Sequence, residues 1–373
     1  MKPALDQIIR TSVRPFLVFL LRRMPGHGWI QQSMLFLLMA SAVSSKAATL
    51  AAAQRTFTNA IVIPGADPWI VVKDGSYWFT ATAGNRIDIR RSRTLAGLGE
   101  ATPATIWRAP ATGPKSRDVW APEFHRVGDR WLVYFTATDE LRTDANRRIY
   151  ALESATDDLQ GRFIDKGRVA VPGDDHYAID GTLLQRPDGR LFFLWSGRER
   201  SEKGPQNIYI APMSDPWTIN GPRVRLSTPD HDWEKHGWHV NEGPEVLQQG
   251  GKTFVIYSGS GYTTPEYSLG LLTNTDGDLL NPASWTKSAK PVFAAYEGKD
   301  GQVFGPGHNG FFKSPDGSED WIVYHAWDKR DTRGLQRSAR AQRFTWRADG
   351  TPDFGRPIPP GVPLPVPAGE RAE

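Results

Sequence analysis

Apolar and polar positions along the chain recur in one unit. In HVNEGPEVLQQGGKTFVIYSGSG, residues 239–261, a carboxylate at Glu242 precedes an apolar run and the turn Gly250-Gly251. A second run, aromatic and β-branched, follows and ends at Tyr257. Such a pattern predicts a strand, a tight turn and a second strand. The unit also starts at Asp67 (DPWIVVKDGSYWFTAT), Glu123 (EFHRVGDRWLVYFTAT), Asp180 (DGTLLQRPDGRLFFLWSG) and Asn309 (NGFFKSPDGSEDWIVYHA). The steps between the five positions are 56, 57, 62 and 67 residues. Each copy places its turn shortly after, at Asp74-Gly75, Gly128-Asp129, Asp188-Gly189, Gly250-Gly251 and Asp316-Gly317.

A strand-rich repeat of this length predicts a radial array of small sheets. Five copies predict an all-β fold, a five-bladed β-propeller of about four strands per blade. Residues 56–360 form it, and residues 56–63 could lend a strand to the fifth blade and so close the ring. No sustained helical period follows residue 50. In a radial array equivalent residues converge, so Asp67, Glu123, Asp180, Glu242 and Asn309 are expected around one axis. Acids and Asn also favour turns, but four carboxylates and an amide at one repeat phase exceed what turn preference explains.

Composition changes the picture at the two ends. Residues 1–48 hold six basic residues and one acid, with short apolar runs at 16–21 and 34–43. Neither run is long enough to span a bilayer comfortably. The second, followed by small residues through Ala47-Ala48, reads as a secretory leader with a cleavage region, the alternative being a disordered extension. This places the mature protein outside the cytoplasm, secreted or periplasmic, with no stable membrane span once the leader is removed. Residues 361–373 form a Pro-rich tail, read as extended or disordered. Without the leader the chain carries 39 basic and 40 acidic residues, so no basic stripe points to nucleic acid. No cysteine occurs, which excludes disulfides and thiolate metal sites. No P-loop, no G-x-G-x-x-G after a strand and no H-E-x-x-H is present.

Converging carboxylates suit cleavage of a glycosidic bond. One must stay ionised to activate water; another must stay protonated to donate to the leaving oxygen. A third, through like-charge repulsion, raises the acid's pKa. No cofactor is required for this chemistry.

The motifs ADPW (66–69), VWAPE (119–123), AIDGTL (178–183), VNEGPEVL (240–247) and GPGHNGFF (305–312) together resemble glycoside hydrolase family 43. Every blade contributes one of them, in order. The resemblance implies an inverting enzyme on a five-bladed propeller, with Asp67 as general base, Asp180 as pKa modulator and orienting residue, and Glu242 as general acid. It leaves Glu123 with a structural or pocket-lining task and implies that His308 helps hold a central cation, often calcium, partly through water. Calcium prefers oxygen ligands, so a lone His is weak support for that ion. Arg340 matches an Arg that reaches the sugar, with Arg337 and Arg343 close enough to take its place. Trp69, Trp238, Tyr262 and Phe304 are the candidate sugar platforms, and Trp120 is placed between blades. The stretches GWHVNEGPEVL and YSGSGYTTPEYSLGLL look most like the branch that removes terminal α-L-arabinofuranosyl residues from plant cell-wall arabinan or arabinoxylan. The competing readings are a β-xylosidase, a carbohydrate-binding propeller without catalysis, and a protein-interaction propeller.

Overall fold

A computed structural model describes residues 55–200 and 203–371; the leader expected at residues 1–48 lies outside them. The described chain forms five antiparallel blade sheets arranged as a β-propeller, and a separate two-stranded sheet. Blade I comprises Trp69–Lys73, Ser76–Thr80, Arg86–Ser92 and Ala104–Arg108. Blade II comprises Arg117–Val127, Arg130–Thr138, Arg148–Ser154 and Phe163–Val169. Blade III opens with Ala178–Gln185, Leu191–Gly197 and Asn207–Asp215. Two short outer strands, Thr218–Ile219 and Val224–Ser227, both pair with the last of these. Blade IV comprises Asn241–Gln249, Lys252–Gly259, Ser268–Asn274 and Trp285–Lys287. Blade V runs from Tyr296–Gly298 through Gly301–Lys313, Asp320–Trp327 and Ser338–Trp346 to Pro352–Asp353.

The second strand of each unit reads as a continuous apolar run because a blade is covered on both faces. Side chains alternate across a strand, so neighbours in sequence serve different blades. Tyr77 packs with Phe312 and Trp321 of blade V, whereas Trp78 packs with Val133 and Phe135 of blade II. Tyr134, between those two, joins Phe193 and Trp195 of blade III. Leu184 and Ile208 meet Val255 and Tyr257 of blade IV, and Phe254 and Ile256 meet Tyr324 and Phe344 of blade V. Five apolar seams thus separate five blades. Each fully buried side chain of this size contributes roughly 1.5–3 kcal/mol.

Closure differs from the sequence expectation. Blade V takes all its paired strands from its own residues, and the amino-terminal segment adds a single bridge, Val62 to Ala339. The Asn59 amide makes two hydrogen bonds to the Ala341 backbone, and Thr56–Phe57 pairs with Leu364–Pro365 of the Pro-rich segment. That segment then donates a hydrogen bond from Ala368 N to Glu319 of blade V and accepts one at Glu370 from Leu95 N of blade I. Proline lacks a donor, so the hydrogen bond given to Glu319 comes from Ala368 rather than from a neighbouring proline.

Candidate active site

A cavity of about 800 Å³ is lined by Asp67, Asp180, Glu242, His308 and Arg337. The strands that carry them bulge where they reach it. Register shifts interrupt the ladders between Ile179 and Thr182, Glu242 and Glu245, and Phe304 and Gly310. Left-handed residues mark these interruptions: Asp180 at φ 53° and Gly243 at φ 53° in the first two, and Gly305 at φ 55° and His308 at φ 47° in the third. Asp67, just ahead of its strand, has φ 54°, and Ala121 in blade II has φ 43°. Side chains other than glycine rarely adopt this conformation, and such strain concentrates at functional sites.

Contacts from neighbouring blades hold these bends in place. The backbone N–H of Ala121 donates to the Thr82 hydroxyl at 2.8 Å. Asp180 N donates to Thr136 Oγ1 at 3.0 Å, and His308 N to Ser258 Oγ at 2.8 Å. Asp67 N donates to His325 Nδ1 at 3.2 Å. In blade IV the acceptor is itself a carboxylate, since Gly243 N donates to Asp180 Oδ2 at 3.1 Å. Asp180 therefore grips the peptide that follows Glu242.

This geometry revises the repeat phase read from the carboxylates. The left-handed residues at these bends include Asp67, Ala121, Asp180, Gly243 and His308, and in blade II it is Trp120, next to Ala121, that lines the cavity where Glu123 was expected. Glu123 lies two residues further on; it is buried, bonds His125 Nε2 at 2.9 Å, and is not among the cavity-lining residues. Asn309 is buried one residue beyond His308. Blade V thus presents an imidazole to the cavity rather than an amide.

The carboxylates differ in their surroundings. Asp67 Oδ1 accepts from Arg337 Nη1 at 2.7 Å and Oδ2 from Thr82 Oγ1 at 2.6 Å. Burial alone would raise its pKa, but Arg337, His308 and His325 together hold it well below the usual carboxylate range. Glu242 Oε1 accepts from the Tyr267 hydroxyl at 2.8 Å, and Oε2 from Gln206 Nε2 at 3.3 Å. Burial raises the Glu242 pKa, with His308 and the Tyr267 hydrogen bond pulling the other way. Burial pushes Asp180 up to about 7, opposed by His308 and reinforced by the charges of Glu242 and Asp67. Burial pushes His325 down to about 3, with Arg337 adding to the effect, so its ring stays neutral and accepts from Asp67 N. Its ring also stacks on Tyr267, with centroids 5.6 Å apart and planes within 4°. Gly307 makes room for that stack: a Cβ there would lie 2.2 Å from the Tyr267 ring.

Of the other residues singled out in the sequence, Trp238 and Tyr262 line the cavity, their rings 5.9 Å apart. Trp69 and Phe304 do not. The Trp69 indole donates to Phe124 O at 3.0 Å and packs at a tilt against His125; Phe304 is buried beneath Arg330. Arg340 is fully buried, donates to Ser338 Oγ at 3.1 Å and pairs with Asp328. It lies opposite Tyr324 within blade V, while Arg337, just before that strand, reaches the cavity. Arg343 pairs with Glu319 at 3.2 Å and does not line the cavity. Trp120 lines the cavity, with the Arg147 guanidinium 3.9 Å over its ring. Tyr267 and His325 escaped the sequence reading, although His325 sits in the fifth repeat, in WIVYHA. Gln206 carries no repeat signal.

The profile of Glycosyl hydrolases family 43 matches residues 57–352. The chain belongs to that family. An extracellular exo-α-(1→5)-L-arabinofuranosidase of Streptomyces avermitilis is 43% identical over 317 residues, covering 82% of this chain and 65% of that protein. The chain thus spans about two thirds of that relative's length. An α-L-arabinofuranosidase 43 of Humicola insolens is 40% identical, covering 88% of this chain and 69% of that protein. The crystal structure of an α-L-arabinofuranosidase from Lactobacillus brevis superposes with a TM-score of 0.75 at 38% identity, covering 82% of this chain and 98% of that one. With family 43 membership established, the propeller bends that gather Asp67, Asp180 and Glu242 belong to a glycosidase scaffold.

Proposed function

We propose that the protein is an inverting glycoside hydrolase that removes terminal α-L-arabinofuranosyl residues from arabinan or arabinoxylan oligosaccharides. The observation that carries this reading is the opposed electrostatics of two carboxylates in one cavity. Asp67, ion-paired to Arg337, stays ionised and takes a proton from the attacking water. Glu242, buried and raised, keeps its proton and gives it to the departing glycosidic oxygen. Asp180 orients the acid through the Gly243 N–H, and its charge repels that of Glu242. The names of the arabinofuranosidase relatives support the sugar, and the extracellular ones support action outside the cell. Among the described residues no helix is long and apolar enough to cross a membrane.

The chemistry needs no cofactor. Asp67, whose two oxygens are engaged by Arg337 and Thr82, offers an ion beside His308 no open oxygen ligand. His308 turns one ring nitrogen toward Asp67 Oδ1 at 3.5 Å, and the Arg337 guanidinium already occupies that same oxygen. A second grouping, Asp230, His231 and Glu234, holds the Lys287 ammonium at 2.6 Å from Asp230 and 2.8 Å from Glu234.

Product analysis tests the proposal. On α-1,5-linked arabino-oligosaccharides the first product is expected to be free arabinose, with NMR detecting the β-anomer before mutarotation. An α-anomer at early times, or preference for β-xylosides, overturns it.

A further inference from the structure

One wall of the cavity is built from two cations set over two aromatic rings. The Arg147 guanidinium is 3.9 Å over Trp120, and that of Arg198 is 4.2 Å over Tyr177. Asp144 ties the two together, with Oδ1 at 3.1 Å from Arg147 Nε and Oδ2 at 3.0 Å from Arg198 Nη2. Arg147 is further fixed by Asp118 at 2.8 Å. All five residues other than Asp118 line the cavity. They come from separate places in blades II and III, and none sits at the repeated carboxylate position.

We propose that this wall is the subsite for the sugar on the leaving side of the scissile bond, which it grips by guanidinium hydrogen bonds to ring hydroxyls. The proposal rests on the glycosidase reading above and adds the half of the substrate that reading leaves unplaced. Glu242 decides the direction. Its Oε1 is tied to Tyr267 at 2.8 Å, whereas Oε2 meets only the longer contact from Gln206 at 3.3 Å. The proton therefore leaves from Oε2, on the side of Gln206 in blade III. Asp67, which activates water, stands with Arg337 and His325 on the opposite, blade V side. The leaving sugar must accordingly extend toward blade III, where Arg198 and Tyr177 stand.

The chemistry of the wall selects a neutral polyol. Asp144 bridges Arg147 and Arg198, and Asp118 pairs with Arg147 and with the exposed Arg142, so both guanidiniums that line the cavity already have a carboxylate partner, which weakens the drive to bind an anion. A guanidinium in a fixed plane presents neighbouring N–H groups that match two vicinal oxygens. The faces of Trp120 and Tyr177 toward Arg147 and Arg198 are covered, so on this wall recognition comes through N–H donors rather than through ring stacking. Trp238, half exposed, offers an aromatic face elsewhere in the cavity.

The test compares α-1,5-linked arabinotriose with 4-nitrophenyl α-L-arabinofuranoside, whose leaving group has no ring hydroxyls. Arg198→Met is expected to lower the triose-to-aryl ratio of kcat/KM tenfold or more, mainly through KM for the triose. Asp144→Asn is expected to lower the same ratio to a smaller extent, since the guanidinium remains but loses its brace. Turnover of the aryl substrate reports that each variant is folded. An unchanged ratio, whether both rates fall together or neither falls, overturns the assignment while leaving the glycosidase reading intact. Failure of the unsubstituted protein to hydrolyse either substrate takes down that reading and this one with it.

Discussion

Arg337 Nη1 and Asp67 Oδ1 lie 2.7 Å apart although 270 residues separate them in the chain. The pair joins the loop ahead of Ser338–Trp346 in blade V to the start of blade I across the point where the propeller closes. A guanidinium this close to a buried carboxylate favours the ionised form, so the closure of the fold and the readiness of the base are one contact.

Removing that cation has a signed consequence. Arg337→Met takes away the first of the charges that depress the Asp67 pKa, leaving burial to raise it. The base must be unprotonated to act, so the acid limb of kcat/KM is expected to move to higher pH. Turnover near neutrality should fall by about 10²–10³, the scale of losing one preorganised donor. A pH–rate profile on an aryl arabinofuranoside checks both; an acid limb that stays in place contradicts the assignment of Asp67.

Tyr267→Phe acts on the other limb. The Tyr267 hydroxyl donates to Glu242 and stabilises its charged form. Without that bond the Glu242 pKa rises further, and the acid keeps its proton to higher pH. The alkaline limb is therefore expected to shift upward, with the acid limb unmoved. Movement of the alkaline limb to lower pH would reverse the role given to this hydrogen bond.

Leaving-group chemistry separates the two catalytic carboxylates. Glu242→Gln and Asp67→Asn should each reduce turnover of an arabino-oligosaccharide by about 10²–10⁴, the usual contribution of a positioned acid or base. An aryl substrate with an acidic phenol departs without help and is expected to restore much of the Glu242→Gln loss. Asp67→Asn should gain nothing from it. Steady-state rates on a series of phenols settle the comparison, and parallel behaviour of the variants counts against distinct roles.

Arg340→Met is expected to affect folding rather than binding. Its guanidinium is fully buried within blade V and bonds Ser338 and Asp328. The substitution should lower stability by about 1–3 kcal/mol, typical of a disrupted buried polar contact, with KM unchanged. Denaturant titration beside Michaelis kinetics distinguishes this from the tenfold or greater KM rise that a sugar-binding arginine would show.

What the sequence determined by itself is the repeat and the chemistry it can carry. Strand, turn and strand return five times because each blade must bury both faces, and that need writes an aromatic, β-branched run at a regular spacing. Asp67, Asp180 and Glu242 stand out for the same reason: they interrupt the apolar pattern at nearly one phase. Only the tertiary structure decided which side chains face the cavity. A single-residue bulge reverses the alternation of a strand, so Glu123 falls below the cavity while Ala121 takes the inward bend. The same alternation sends Arg340 into the blade, whereas Arg337, free of the strand, turns to Asp67. Thr136, Ser258 and His325 hold the bends from neighbouring blades through contacts 44 to 258 residues apart. No local pattern encodes such pairs, because their geometry exists only once the sheets are packed.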